Sequence, residues 1–103
     1  MKIFLISPNI KTLFSEEQIE SLKQAGEVIF HSEVNGFESV KGLFEGDEER
    51  ILAIDPDFCD WSVPNEVIEK IPNLKGIVLQ TTSFSWVDVN HAEKLGIPVV
   101  NLR

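Results

Sequence analysis

The chain has 103 residues, which leaves room for one domain with a single hydrophobic core. Apolar residues make up 43% of it, with six Gly and five Pro, and this composition excludes a disordered or collagen-like protein. Seventeen acidic and nine basic residues give a formal charge of −8, which opposes binding to nucleic acid and to anionic membrane surfaces.

Short apolar runs alternate with amphipathic stretches along the chain, a pattern typical of the crossover units that build a parallel sheet. The first strand is predicted over residues 2–6 and ends at the turn formers Ser-Pro-Asn. Ser15 is predicted to cap a helix with Gln18 as its capping-box partner, and that helix ends at Gly26. The second strand is predicted over residues 28–30.

A less regular stretch, residues 32–50, separates the second strand from the third. Val40, Leu43 and Phe44 have helical spacing and predict a second helix, although three glycines in the stretch weaken the pattern. The compact apolar run 51–54 then predicts a strand buried on both faces.

The last part of the chain predicts two more helices, each followed by a strand. Pro64 fits the first turn of a helix that Pro72 ends. Asp88 is predicted to cap the final helix, and Gly96 to close it in the left-handed conformation. The two strands are predicted over residues 76–79 and 97–100.

Binding loops are expected at one edge of this sheet, because ligands of an open parallel sheet bind outside the carboxyl ends of its strands. The loops at that edge are residues 7–13, 55–62 and 80–86. The opening apolar run is too short for a signal peptide or a membrane span, so the predicted location is the cytoplasm, with no membrane partner.

Motifs for a cofactor, a metal or a nucleophile are not found. The glycines lack the spacing of a dinucleotide-binding fingerprint, and no Gly-Lys-Ser or Gly-Lys-Thr sequence occurs, so no cofactor site is expected within this chain. Cys59 is the single cysteine and has no basic neighbour, which favours a packing thiol. His31 and His91 lie far apart in sequence, which favours surface histidines over metal ligands.

Three carboxylates, Asp55, Asp57 and Asp60, follow the third predicted strand. They could bind magnesium or accept a phosphoryl group, but a solvated turn with side-chain to backbone hydrogen bonds is the favoured interpretation. A phosphoreceiver domain would place further carboxylates after the first strand, where this sequence has Ser-Pro-Asn.

Hydroxyl side chains crowd the loop after the fourth predicted strand. They belong to Thr81, Thr82, Ser83 and Ser85. Hydroxyl and backbone N–H groups there could bind a small carboxylate, and ordinary turn chemistry is the alternative. Phe84 and Trp86 in the same loop suggest a cleft wall or contact with another domain, with local packing as the competing explanation.

Three segments of the last third resemble the D-isomer-specific 2-hydroxyacid dehydrogenases. They are IPNLKGIV at 71–78, VDV at 87–89 and AEKLGIPVVN at 92–101. The resemblance implies an α/β, flavodoxin-like three-layer fold with a five-stranded parallel sheet in the order 2-1-3-4-5. It also implies that residues 1–103 form a single substrate-binding domain portion of a longer enzyme.

The same resemblance implies an NAD-dependent oxidoreductase with its active site between two domains. The family's catalytic Arg, Glu and His and its glycine-rich coenzyme loop would all lie beyond this chain, which alone would be a truncated, inactive portion. We therefore expect no catalytic residue and no cofactor site here. In the complete enzyme the partners would be NAD, a small 2-hydroxy or 2-keto acid, and the missing dinucleotide-binding domain.

The resemblance also assigns substrate contacts. Thr81, Thr82 and Ser83 stand where the family carries a Gly-x-Gly element that holds the substrate carboxylate, and Phe58 stands in the other substrate-facing loop. A side chain at each former glycine restricts the backbone and narrows the cleft. This departure motivates a second hypothesis, a stand-alone flavodoxin-like binding or interaction module without catalysis.

Overall fold

The computed structural model of the chain describes residues 1–10, 14–32, 36–37, 40–79 and 85–101. Among them, five strands form one sheet in the order β2-β1-β3-β4-β5, and every neighbouring pair is parallel. The strands are β1 (Lys2–Ile6), β2 (Glu27–His31), β3 (Arg50–Ile54), β4 (Leu74–Leu79) and β5 (Val99–Asn101). The predicted parallel sheet and its strand order are therefore confirmed.

Helices cover both faces of the sheet, which gives the three layers expected from the sequence. They are α1 (Glu16–Ala25), α2 (Pro56–Cys59), α3 (Asn65–Lys70) and α4 (Val89–Lys94). Leu22 of α1 packs in a cluster with Leu5 and Ala53 of the sheet. Ile68 of α3 and Ala92 of α4 belong to the larger cluster on the opposite face. Burying both faces is the usual condition for an all-parallel sheet.

Local capping chemistry places the helix ends close to where the sequence predicted them. Ser15 and Gln18 form the predicted capping box of α1, with both reciprocal hydrogen bonds present. Asp88 caps α4 by accepting from the His91 backbone N–H at 3.0 Å, and this bond lowers the pKa of the Asp88 carboxyl. Gly96 has a φ of 76°, the predicted left-handed conformation.

The predicted second helix is wrong for the described part of residues 32–50, which contains no α-helix and has 3-10 geometry at Phe37 and over Lys41–Leu43. Val40 and Leu43 are nevertheless buried in the core. The spacing of these two residues therefore indicates a buried face, which one short 3-10 turn is enough to form. Gly46 adopts a φ of 79°, a conformation that ends a helix rather than extending it.

Several strand and helix bounds also differ from the predicted ones. Pro64 is the N-cap of α3 and lies outside the first turn. β4 begins two residues before the predicted start at 76, and β5 begins at Val99 rather than at 97. Ile97 instead donates its N–H to the Ala92 carbonyl at 2.9 Å, so it still belongs to the exit of α4.

A buried arginine holds the amino edge of the sheet together. Arg50, the first residue of β3, is 1% exposed, and the acceptors of its guanidinium are backbone carbonyls. They belong to Glu45, Glu48 at 2.9 Å and Pro72 at 2.7 Å. Within the described part of the chain its Nε–H has no hydrogen-bond partner. The guanidinium thus joins the loop before β3 to the turn before β4.

No helix among these residues is both long and apolar enough to cross a membrane.

Replacing Arg50 with Met should lower the free energy of unfolding by about 3 kcal/mol, because three backbone carbonyls lose the charged donor that bridges them. Urea unfolding followed by circular dichroism measures this change. Lys75→Met, which removes an exposed cation from β4, is the control and should change stability by less than about 0.5 kcal/mol. A loss below about 1 kcal/mol for Arg50→Met would contradict the bridging role.

Candidate binding edge

The carboxyl edge of the sheet brings together loops that are distant in sequence. β1 pairs with β2 on one side and with β3 on the other, so the winding direction reverses between β1 and β3. Open α/β sheets bind ligands at such a reversal. The loops that start there after β1 and β3 lie side by side, as Ile6 and Ile54 are paired at the strand ends.

A buried polar pair closes the edge between β1 and β3. The Ser7 hydroxyl donates to Asp55 Oδ2 at 2.6 Å, and it accepts from the Asn9 backbone N–H at 2.9 Å. Asp55 Oδ1 accepts from the Asp57 backbone N–H at 3.0 Å, which caps α2. Because the buried Ser7 and Asp55 side chains satisfy each other and also bind backbone N–H groups, this network fixes the start of both loops.

The interpretation of Asp55, Asp57 and Asp60 as a solvated turn is therefore wrong for its first member. Asp55 is 1% exposed and begins a short helix, α2, that the sequence reading missed. The expected side-chain to backbone bond is present, but it acts as a helix cap. Asp57 remains exposed and accepts from the Asn9 amide at 3.3 Å.

A metal-binding arrangement of these carboxylates is not observed. Among the described residues there is no group of three His, Cys, Asp or Glu placed to hold a metal ion. A phosphoryl donor would also have to reach Asp55 behind Ser7, where the carboxylate is nearly inaccessible.

Phe58, predicted to face substrate, lies in the protein core. It is 2% exposed, and its ring meets the rings of Phe37 and His31 edge to face, with centroids 5.3 and 5.7 Å apart. These contacts hold α2 against the sheet and the segment after β2. The other predicted substrate contacts, Thr81, Thr82 and Ser83, lie outside the described residues.

A tryptophan pair joins the loop after α2 to the loop after β4. The Trp61 and Trp86 rings meet edge to face with centroids 6.1 Å apart. Beneath them the Val63 N–H donates to the Trp86 carbonyl at 3.1 Å, and Val63 and Val87 form a short parallel bridge. Trp86 is only 8% exposed, which agrees with the competing explanation of local packing rather than with a cleft wall.

Trp61 sits on an unfavourable backbone. Asp60 and Trp61 have φ angles of 53° and 57°, the left-handed region that residues with a Cβ rarely enter. Each such residue costs on the order of 1–3 kcal/mol. Trp61 is also 52% exposed, so about half of its surface remains in contact with solvent. Sequence reading missed this residue, although an aromatic side chain in an acidic loop at the carboxyl edge was a signal.

The remaining candidate side chains are partly buried. Burial raises the pKa of the Cys59 thiol, whose Sγ lies 3.7 Å from the Pro56 carbonyl oxygen, as expected for a packing thiol. His31 and His91 are both partly exposed. His91 Nε2 lies 3.0 Å from Glu69 Oε1, at ion-pair distance but not aligned for a hydrogen bond.

Comparison with known proteins gives consistent matches over this fold. The family model of the D-isomer specific 2-hydroxyacid dehydrogenase catalytic domain matches residues 4–103. A hydroxypyruvate reductase of Blautia hydrogenotrophica is 45% identical over 40 residues, which cover 39% of this chain and 12% of the reductase.

Two solved structures share the whole fold. An acyclic imino acid reductase in complex with NADPH and D-Arg superposes with a TM-score of 0.69 at 28% identity, covering 98% of this chain and 30% of the reductase. The D-lactate dehydrogenase of Escherichia coli superposes with a TM-score of 0.61 at 20% identity, covering 99% of this chain and 31% of the dehydrogenase. The chain thus spans about a third or less of the length of these proteins.

Replacing Ser7 with Ala should lower the free energy of unfolding by about 2 kcal/mol, because the buried Asp55 carboxylate and the Asn9 N–H each lose a partner. Ser62→Ala, at an exposed serine of the neighbouring loop, is the control. Urea unfolding of both variants tests this. Equal stability of the two variants would show that the Ser7–Asp55 bond contributes nothing net.

Cys59 should react with iodoacetamide at pH 8 at least about threefold more slowly in the folded chain than in urea, because its raised pKa reduces the thiolate fraction. Mass spectrometry of timed samples measures the two rates, with glutathione as the reference thiol. A folded rate at or above the unfolded rate would mean that the thiol is activated.

Proposed function

Because this chain belongs to the D-isomer specific 2-hydroxyacid dehydrogenase family, we propose that it forms the substrate-side part of an oxidoreductase. The complete enzyme would transfer hydride between NAD and a 2-hydroxy or 2-keto acid. The observation that carries this proposal is the family match over residues 4–103 on a sheet whose carboxyl-edge loops meet at the winding reversal. A cytoplasmic location belongs to the same proposal.

The chain's own residues do not fit a dinucleotide. The loops 7–13, 55–62 and 80–86 contain no glycine at all. A pyrophosphate bound at a helix N-terminus needs the close backbone approach that glycine allows. We therefore assign NAD to a separate dinucleotide-binding domain of the complete enzyme. The coverage of about 30% of the two solved relatives leaves ample length there for such a domain.

Substrate binding in this chain would use hydroxyl and N–H groups rather than an ion pair. The loops 55–62 and 80–86 contain three Asp and no Lys, Arg or His. We propose that Thr81, Thr82 and Ser83 donate to the substrate carboxylate, since they directly follow the carboxyl end of β4. Phe58 would shape the site from below, because its ring is held in the core.

With NAD bound by another domain, this chain would orient the substrate acid and exclude water from one side of it. The Ser7–Asp55 pair fixes the start of the loop after β3, and the bond from the Val63 N–H to the Trp86 carbonyl joins the end of that loop to the loop after β4. Fixed geometry of this kind lowers the entropic cost of reaching a reactive arrangement. The proton and hydride donors would come from the rest of the enzyme.

Titration of the ¹⁵N-labelled chain with 2-oxobutyrate should shift amide signals at the carboxyl edge, among them Asn9, Asp57 and Trp86. Signals at the opposite edge, such as Arg50 and Asn73, should stay in place. Butyrate, which lacks the keto group, is the matched control and should bind more weakly. Unchanged spectra with both acids would contradict substrate binding and favour the stand-alone interaction module that the altered Thr81–Ser83 loop also suggests.

A second measurement tests whether the coenzyme site lies in a separate domain of the complete enzyme. The chain incubated with NADH and a panel of 2-keto acids should show no oxidation of NADH at 340 nm, since no residue here fits the coenzyme. Turnover by the chain alone would disprove the assignment of NAD to a separate domain.

A further inference from the structure

The contact of the Trp61 indole with the Trp86 ring accounts for only part of the indole surface. Its ring is 52% exposed, and it stands on two consecutive left-handed residues. Large apolar side chains that gain stability do so by burial, and strained backbone in a folded protein tends to occur at binding sites. Trp61 combines exposure with strain.

The indole is also held firmly. The buried Trp86 ring supports it from one side, and the Val63 N–H to Trp86 carbonyl bond ties the two loops together. On the other side the Trp61 backbone N–H donates to the Pro56 carbonyl at 3.0 Å, which connects it to α2. A surface that is fixed before a ligand arrives loses little entropy on binding.

Its position distinguishes Trp61 from the other exposed apolar side chains of the described residues. Those are Met1, Phe30, Leu95 and Val100. Two of these belong to the edge strands β2 and β5, and Met1 is the chain start. Leu95 ends α4 at the amino edge of the sheet. Among these five residues, Trp61 is the one on a loop between the carboxyl ends of β3 and β4.

We propose that Trp61 determines substrate specificity, with its indole receiving the substituent on carbon 2 of the acid. This inference rests on the proposed function and narrows it to 2-keto acids with a large, uncharged, apolar substituent. The indole contacts the buried ring of Trp86, and the buried Val63 and Val87 form the short parallel bridge that joins the two loops. The neighbouring Asp57 and Asp60, with no cation in the loop, disfavour a second carboxylate or a phosphate on the substrate.

The test compares three acids by NMR titration of the 103-residue chain: 4-methyl-2-oxopentanoate, pyruvate and 2-oxoglutarate. The branched acid should bind about tenfold more tightly than pyruvate, because it buries part of the exposed indole. 2-Oxoglutarate should bind more weakly than pyruvate. The chain has only two tryptophans, so the Trp61 indole N–H signal is identified by its loss in Trp61→Phe.

Trp61→Ala should remove the tenfold preference for the branched acid over pyruvate, while Trp61→Phe should retain most of it. Leu95→Ala, which deletes an apolar side chain of similar exposure (47%) at the opposite edge, is the matched control and should keep it. Backbone spectra of the variants verify that each is folded.

Equal binding of pyruvate and the branched acid, or a preference that survives Trp61→Ala, would overturn this inference and leave the proposed function standing. Tighter binding of 2-oxoglutarate than of the branched acid would overturn it as well. If none of the acids binds, the proposed function fails, and the specificity role fails with it.

Discussion

The hydrogen bond between Ser7 and Asp55 connects the fold of this protein to its candidate site. It joins the ends of two strands 48 residues apart at a distance of 2.6 Å. The same Asp55 carboxylate caps α2, whose carbonyl at Pro56 accepts from the Trp61 N–H. The position of the exposed indole therefore depends, through one short helix, on a buried pair beneath it. Such networks are rigid when every member is satisfied.

The two edges of the sheet carry different kinds of polar burial. At the amino edge, Arg50 is surrounded by backbone carbonyls and binds a loop to the sheet, with no surface of its own left over. At the carboxyl edge, the buried pair of Ser7 and Asp55 supports loops that expose Asp57 and Trp61. The residues that stabilise the sheet and the loops available for binding thus lie at opposite ends of the strands. Open α/β sheets in general bind their ligands at the carboxyl ends of the strands.

The family match and the residues of the carboxyl-edge loops give different indications about how a substrate would be bound. The fold and the match over residues 4–103 give a dehydrogenase-type domain. The loops 55–62 and 80–86, however, have no glycine and no cation, and they carry Thr, Ser and Trp instead. A domain of this kind can keep its scaffold while its loops change the accepted substrate, because the loops contribute little to the core.

The sequence alone determined the elements whose signals are local. The capping box at Ser15 and Gln18, the cap at Asp88 and the left-handed Gly96 are set by a few neighbouring residues, and the alternation of apolar runs was enough to give the parallel sheet and, with the family resemblance, its order. The tertiary structure decided what depends on distant contacts. Val40 and Leu43 have helical spacing, but a single 3-10 turn is enough to bring them into the core. Asp55 lies in an acidic stretch that favours solvent exposure, but it is bound in the interior by Ser7, which follows another strand. The left-handed Trp61 has no signature in its neighbours, because its conformation is fixed by α2 on one side and Trp86 on the other.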